Sequence, residues 1–195
     1  MDVNKLNTAT KITIFRIILI PVILVVLLFP YSGTSEIQLF GLKMYPPFFL
    51  SLIIFIIASL SDAIDGHIAR KTNTITNLGK FLDPVADKLL VNTLLIYLSA
   101  TNHIPVLLTI LMISRDVCVD ALRMISSENN IVIAASSYGK LKTIFQMVTI
   151  CLILLIALPG ANLPIWLLVL TYVTTFISVV SGIDYFIKNK AVLKK

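Results

Sequence analysis

The sequence predicts an all-α integral membrane protein, a bundle of six transmembrane helices with a short N-terminal interfacial segment, in which residues 1–195 form a single domain. Three observations lead there. Hydrophobic residues fill 57% of the 195 positions and charged residues only 13%, a balance outside the range of soluble globular chains. Apolar stretches recur that approach the roughly 20 residues needed to cross a hydrocarbon core about 30 Å thick. The breaks between them are short and polar, and proline or glycine marks most of them.

The first span covers 12–29 and is closed by Pro30 and Gly33. It is not a secretory signal, because it is long enough to cross, no small-residue cleavage pattern follows Phe29-Pro30-Tyr31, and further spans come after it. Residues 1–9, with Val3 and Leu6 among polar neighbours, form the interfacial segment. The second span, 47–69, opens on Pro46-Pro47, and the third, 78–99, follows a short polar loop. The fourth, 104–125, has Pro105 at its head; the fifth, 138–158, stops at Pro159-Gly160; the sixth, 164–187, opens on Pro164. Cys118 and Cys151 fall inside apolar stretches without the spacing of a disulfide or metal site, so both are expected to be buried packing residues.

Charge supplies the orientation, since cytoplasmic loops and helix ends carry the excess of Lys and Arg. In a six-span arrangement every Lys and Arg except Lys43 falls on one side, Lys5, Lys11, Arg16 and Lys190 included. A multi-pass cell-membrane protein with both termini cytoplasmic follows. The net charge of +6 does not indicate nucleic acid, because the basic residues are spread along the ends of apolar segments rather than gathered on one face.

The second span ends Asp62-Ala63-Ile64-Asp65-Gly66-His67-Ile68-Ala69-Arg70, and the third begins Gly79-Lys80-Phe81-Leu82-Asp83-Pro84-Val85-Ala86-Asp87. Asp62 and Asp65 are three apart and Asp83 and Asp87 four apart, so on helices each pair shares a face and the two pairs can converge across one cytoplasmic loop. A lone acid at a helix end is ordinarily an interfacial residue that snorkels to water. Four acids with small residues between them are not explained that way, because intramembrane acids are costly unless paired, hydrated or bound to a cation. Their mutual repulsion calls for divalent cations, and oxygen-only ligation suits Mg²⁺ or Mn²⁺ better than Zn²⁺. Gly66 and Gly79 leave room for a bulky ligand beside the acids, and Ala69 keeps the same face slim. His67 and His103 are expected in interfacial or loop roles rather than as ligands.

The pattern Asp62-x-x-Asp65-Gly66-x-x-Ala69-Arg70, eight residues, Gly79-x-x-x-Asp83-x-x-x-Asp87 resembles the signature of the CDP-alcohol phosphatidyltransferases at every defining position. That family moves a substituted phosphate from a CDP-linked lipid to an alcohol and releases CMP. The resemblance implies two divalent ions, Mg²⁺ or Mn²⁺, held by Asp62, Asp65 and Asp83. Asp87 is then the general base for the incoming hydroxyl, with a metal-ligand role also open to it. It further implies that the CDP-lipid lies against Asp62, Gly66, Ala69, Arg70 and Gly79, at a cytoplasmic active site, in a protein that works as a homodimer among membrane lipids.

A second polar group follows on the fourth span. Asp116, Asp120 and Arg123 recur at helical spacing on an otherwise apolar stretch, Arg115 adjoins them, and Gly139-Lys140-Leu141-Lys142-Thr143 opens the fifth. The stripe should face the bundle interior. Arg115, Arg123, Lys140 and Lys142 suit a phosphorylated acceptor, and Arg in particular makes forked phosphate contacts. The plainer account pairs Arg115 with Asp116 structurally and leaves the lysines as boundary charges. The run Thr10-Lys11-Ile12-Thr13-Ile14-Phe15-Arg16, the Ser114-Arg115-Asp116 element and Gly139-Lys140-x-Lys142-Thr143 are similar to the phosphatidylglycerophosphate synthases of the family, which implies CDP-diacylglycerol as donor and glycerol 3-phosphate as acceptor. Two departures stand out: no proline precedes Thr10, and Asp116 takes the place of the usual glutamate. Branches that use phosphatidylglycerol, serine or inositol phosphate fit these elements less well. A cation transporter would also use intramembrane acids, but here they gather at one membrane face, with no ionisable ladder to the other and no broken-helix repeat.

Overall fold

The computed structural model describes residues 8–29, 37–39, 42–72, 77–128 and 137–189, with side chains over 12–29, 43–61, 85–126 and 138–189. Among these residues are six helices: α1 (Thr8–Leu28), α2 (Pro46–Thr72), α3 (Asn77–Ala100), α4 (Val106–Glu128), α5 (Ser137–Ile156) and α6 (Ile165–Lys188). Each coincides with one expected span to within four residues at either end. The prolines act as expected. Pro46 opens α2, Pro105 accepts the first backbone bonds of α4 from Leu108 and Thr109, and Pro164 does the same for α6 from Leu167 and Leu168. The segment 1–7 lies outside the described residues.

The all-α class holds, with one short addition to the six helices. Between α1 and α2, β1 (Ile37–Leu39) and β2 (Leu42–Met44) pair antiparallel, with Ile37 opposite Met44 and Leu39 opposite Leu42. Strands of three residues are shorter than the run over which alternation can be read.

The residues group into two compact units, Met1–Leu94 with Leu154–Pro159, and Leu95–Ile153 with Gly160–Lys195. In the first, α1 packs on α2. The buried face of α1 runs Thr13, Arg16, Ile20, Ile23, Leu27, and that of α2 runs Phe48, Ser51, Leu52, Phe55, Ala58, both in the steps of three and four that keep one helical stripe inward. The apolar residues between them, such as Phe15, Ile18, Val22 and Val25 on α1, point outward.

In the second unit α4 packs on α6. The turn from α3 into α4 is closed by Asn102 in the left-handed region (φ 61°), with the His103 amide bonding the Leu98 carbonyl at 2.9 Å and the Asn102 amide the Ser99 carbonyl at 3.0 Å. This is the paired bonding that satisfies the last carbonyls of a helix, with asparagine where glycine is commoner. His103 is buried in this turn, its Nδ1 2.8 Å from the Thr101 hydroxyl, so it has the loop role expected of it.

Helix α6 reverses the soluble order of inside and outside. Its buried residues are Leu167, Thr171, Thr174, Thr175, Ser178, Ser181, Gly182 and Tyr185, whereas Ile165, Trp166, Val169, Phe176 and Ile183 are exposed. Small polar residues inside and large apolar ones outside suit a helix whose surroundings are hydrocarbon. Two helices, Tyr138–Ile156 and Ile165–Lys188, are long and apolar enough to cross a membrane, and Ile12–Leu28 and Pro46–Ser61 are shorter apolar stretches. On α4, Arg115, Asp116, Asp120 and Arg123 interrupt the apolar run. Cys118 is exposed and Cys151 half-buried, which corrects the expectation for Cys118: it lies on the outward face of α4 beside exposed Val117.

Candidate functional site

Two groups of polar side chains occur, one in each unit. In the first, α2 carries Asp62, Asp65, Gly66, Ala69 and Arg70 in its C-terminal part, and α3 carries Gly79, Asp83 and Asp87 in its first three turns. The helical state that the spacing argument requires therefore holds for all four acids, on two helices separated by 73–76. The side chains of Asp62, Asp65, Gly66, Ala69, Arg70, Gly79 and Asp83 lie outside those described, and so does the convergence expected of them.

Asp87 is described, and it has a partner that sequence reasoning missed. Nη1 of Arg16 donates to Oδ1 of Asp87, joining α1 to α3 across 71 residues of chain. The arginine side chain is 0% exposed and the aspartate side chain 39%. Asp87 stands between buried Ala86 and Leu90, at the rim of packed apolar residues. A signal was present: Arg16 lies on the same face as Thr13 and within an apolar run, and a charge so placed demands a counter-charge. Topology accounted for it too readily.

In the second unit the acid and its cations are all nearly buried. Both carboxylate oxygens of Asp116 accept from Nζ of Lys142, at 2.8 and 2.7 Å, and Oδ1 also accepts from Nη1 of Arg115 at 3.0 Å. Nη2 of Arg115 continues to the Ser181 hydroxyl on α6 at 2.6 Å. Gly182 makes room for the arginine stem, since a Cβ there would meet Arg115 Cγ at 2.8 Å. Two cations meet on one acid in a nearly closed setting. Arg123, two turns further along α4, is exposed; its Nε donates to the Tyr185 hydroxyl at 3.2 Å and its guanidinium lies 5.7 Å from the centre of that ring. Lys140 is exposed at the start of α5.

Of the four cations expected to meet an acceptor phosphate, the structure thus joins Arg115 and Lys142 through Asp116 and leaves Arg123 and Lys140 open to the outside. The inward stripe on α4 holds for Asp116, while Asp120 is half-buried and Arg123 exposed. Ser181, Gly182 and Tyr185 entered no sequence argument, because one helix's periodicity cannot show which neighbour's side chains meet it.

A family model described as CDP-alcohol phosphatidyltransferase matches residues 6–179. The chain belongs to the CDP-alcohol phosphatidyltransferase family. A protein of Bacillus subtilis (strain 168) named CDP-diacylglycerol–glycerol-3-phosphate 3-phosphatidyltransferase is 41% identical to it over 96% of this chain and 97% of its own length. Proteins of the same name from Rickettsia prowazekii (33% identical, 95% of this chain and 96% of the relative) and Wigglesworthia glossinidia brevipalpis (38%, 75% of each) are also similar. This CDP-alcohol phosphatidyltransferase is accordingly a transferase of a membrane-enzyme family, with two helices apolar enough to cross a bilayer.

Among the described side chains no three metal-ligating groups cluster, and the side chains of Asp62, Asp65 and Asp83 are not among those described. By residue type the donor set suits a hard divalent cation, since every candidate ligand is a carboxylate.

Proposed function

We propose that this enzyme transfers the phosphatidyl group of CDP-diacylglycerol to glycerol 3-phosphate, giving phosphatidylglycerophosphate and CMP. The observation that carries the reading is the likeness to the Bacillus subtilis transferase, 41% identical over nearly the full length of both chains. The residues suit that chemistry. Asp62, Asp65 and Asp83 would hold two divalent ions, Mg²⁺ or Mn²⁺, whose chemistry when bound is to neutralise the diphosphate and the charge developing on the transferred phosphoryl. Gly66, Ala69 and Gly79 leave space for the CDP-lipid, and Arg70 offers a charge to its diphosphate. Asp87 accepts the proton of the acceptor hydroxyl as that oxygen bonds to the lipid-bearing phosphorus. The bond from phosphorus to CMP then breaks, and CMP leaves with the electron pair.

Acceptor choice falls to the second polar group. The excess positive charge of Arg115 and Lys142 over Asp116, together with exposed Arg123 and Lys140, favours an acceptor that carries a phosphate. Asp116 keeps the buried cations together, so the contribution of Arg115 and Lys142 is chiefly field, and that of Arg123 and Lys140 direct contact. The reading includes six membrane crossings with both termini and the acids on the cytoplasmic side, as the distribution of Lys and Arg favours, and a homodimer, as the family resemblance implies. The test is CMP release by the purified protein in detergent, with a panel of acceptors and with chelator controls. Release with glycerol 3-phosphate, abolished by chelator and restored by Mg²⁺ or Mn²⁺, is the expected result. Release that needs phosphatidylglycerol, serine or inositol phosphate instead would reassign the acceptor.

A further inference from the structure

We infer that Arg16 is a positioning residue for the transfer reaction: from the buried face of α1 it holds the carboxylate of Asp87 in the orientation in which it meets the acceptor hydroxyl. The inference rests on the proposed role of Asp87 and adds a residue outside the 62–87 signature.

The asymmetry of the pair carries it. Arg16 is sealed, with 0% of its side chain exposed, in a stripe that continues through buried Thr13, Ile20 and Ile23. Asp87 keeps 39% of its side chain exposed. A pair with both partners packed away would pay desolvation on each charge and leave no carboxylate oxygen open to a reactant. Here the anchored partner is the cation and the open partner is the acid, which is the arrangement that presents a carboxylate outward while fixing its angle. Arginine also suits the task better than lysine, since the Nη1–H that meets Oδ1 lies in a rigid planar group, whereas an ammonium acts as a point charge.

The experiment compares wild type with Arg16→Gln, Arg16→Lys, Asp87→Asn and the Arg16→Gln/Asp87→Asn double variant, purified in detergent. It reads kcat, KM for both substrates and the thermal unfolding midpoint. Arg16→Gln is expected to lower kcat by about 10- to 100-fold, the usual range for a group that orients a reactive carboxylate, while both KM values stay within about threefold. Arg16→Lys, which keeps the charge and loses the planar group, should recover part of kcat. The double variant should be no slower than Asp87→Asn alone, because two residues that act as one unit do not add. If Arg16→Gln does not fold, Arg16→Lys decides: wild-type kcat there overturns the inference. So does an Arg16→Gln enzyme that melts earlier but turns over normally, or a double variant slower than Asp87→Asn by the full single-variant factor. Wild-type turnover in Asp87→Asn would instead overturn the role of Asp87 itself, a separate failure.

Discussion

Arg16–Asp87 and Arg115–Asp116–Lys142 are built from the same kinds of charge but differ in how they meet the exterior. In the first the cation is sealed and the acid reaches the exterior; in the second the acid and both cations are nearly sealed together, the side chains of Asp116, Lys142 and Arg115 being 6%, 7% and 13% exposed. A buried charge costs several kcal/mol unless it is paired, so each sealed charge draws on its partners. The first pair leaves a carboxylate open to the exterior, whereas in the second unit Arg123 and Lys140 are exposed charges outside the closed cluster.

The comparison can be broken most directly at the acids of the first unit. Asp83→Asn and Asp87→Asn are each expected to lower turnover by roughly 10³-fold or more, at the upper part of the range for loss of a base or metal ligand, with the protein still recovered from the membrane fraction. Normal CMP release by either would dissolve the contrast. Asp116→Ala should act on stability first, because it leaves Arg115 and Lys142 as buried like charges. A loss of about 3–5 kcal/mol is expected, read as a large fall in the thermal midpoint in detergent, and an unchanged midpoint would mean the second unit does not depend on its acid.

Smaller changes sharpen the contrast. Gly182→Ala would drive a methyl group into the Arg115 stem and should cost about 1–3 kcal/mol as an overpacking change; wild-type stability would show that Arg115 moves aside freely. Arg123→Ala should raise KM for glycerol 3-phosphate by about tenfold, equivalent to one charge-assisted contact, with kcat little changed. If kcat fell instead and KM held, Arg123 would belong to the chemical step.

The helices were legible because proline, glycine and polar breaks punctuate the apolar runs, and these act locally. The five helix ends near Pro30, Pro46, Pro105, Pro159 and Pro164 follow from residues within a few positions. The candidate acids were legible because their spacing is itself local. What escaped was rotation and partnership. Helix α1 is apolar all round, so periodicity could not say that Thr13 and Arg16 face inward, and a pair 71 residues apart leaves no spacing to read. Cys118 was misplaced for the same reason: in an apolar environment an apolar neighbourhood does not mean burial, and the outward side of α4 is as hydrophobic as its inward side. The β1–β2 ladder was too short to announce itself. Lys142 looked like a boundary charge or a phosphate ligand, and only folding reveals that Asp116 already holds it.

The hydroxyls along the inner side of α6 have a consequence for how this helix tolerates variation. Thr171 donates to the Leu167 carbonyl and Thr175 to the Thr171 carbonyl, each at 2.9 Å, so these groups are satisfied within their own helix. Their contribution to the neighbour is therefore bulk, and exchange of Thr171 or Thr175 for alanine or serine should be governed by volume and hardly by polarity. Thr174 differs, since its hydroxyl lies 2.8 Å from that of Thr149 on α5. Along one helix, adjacent threonines thus answer to different rules, and a substitution table for α6 should rank position 174 as the selective one.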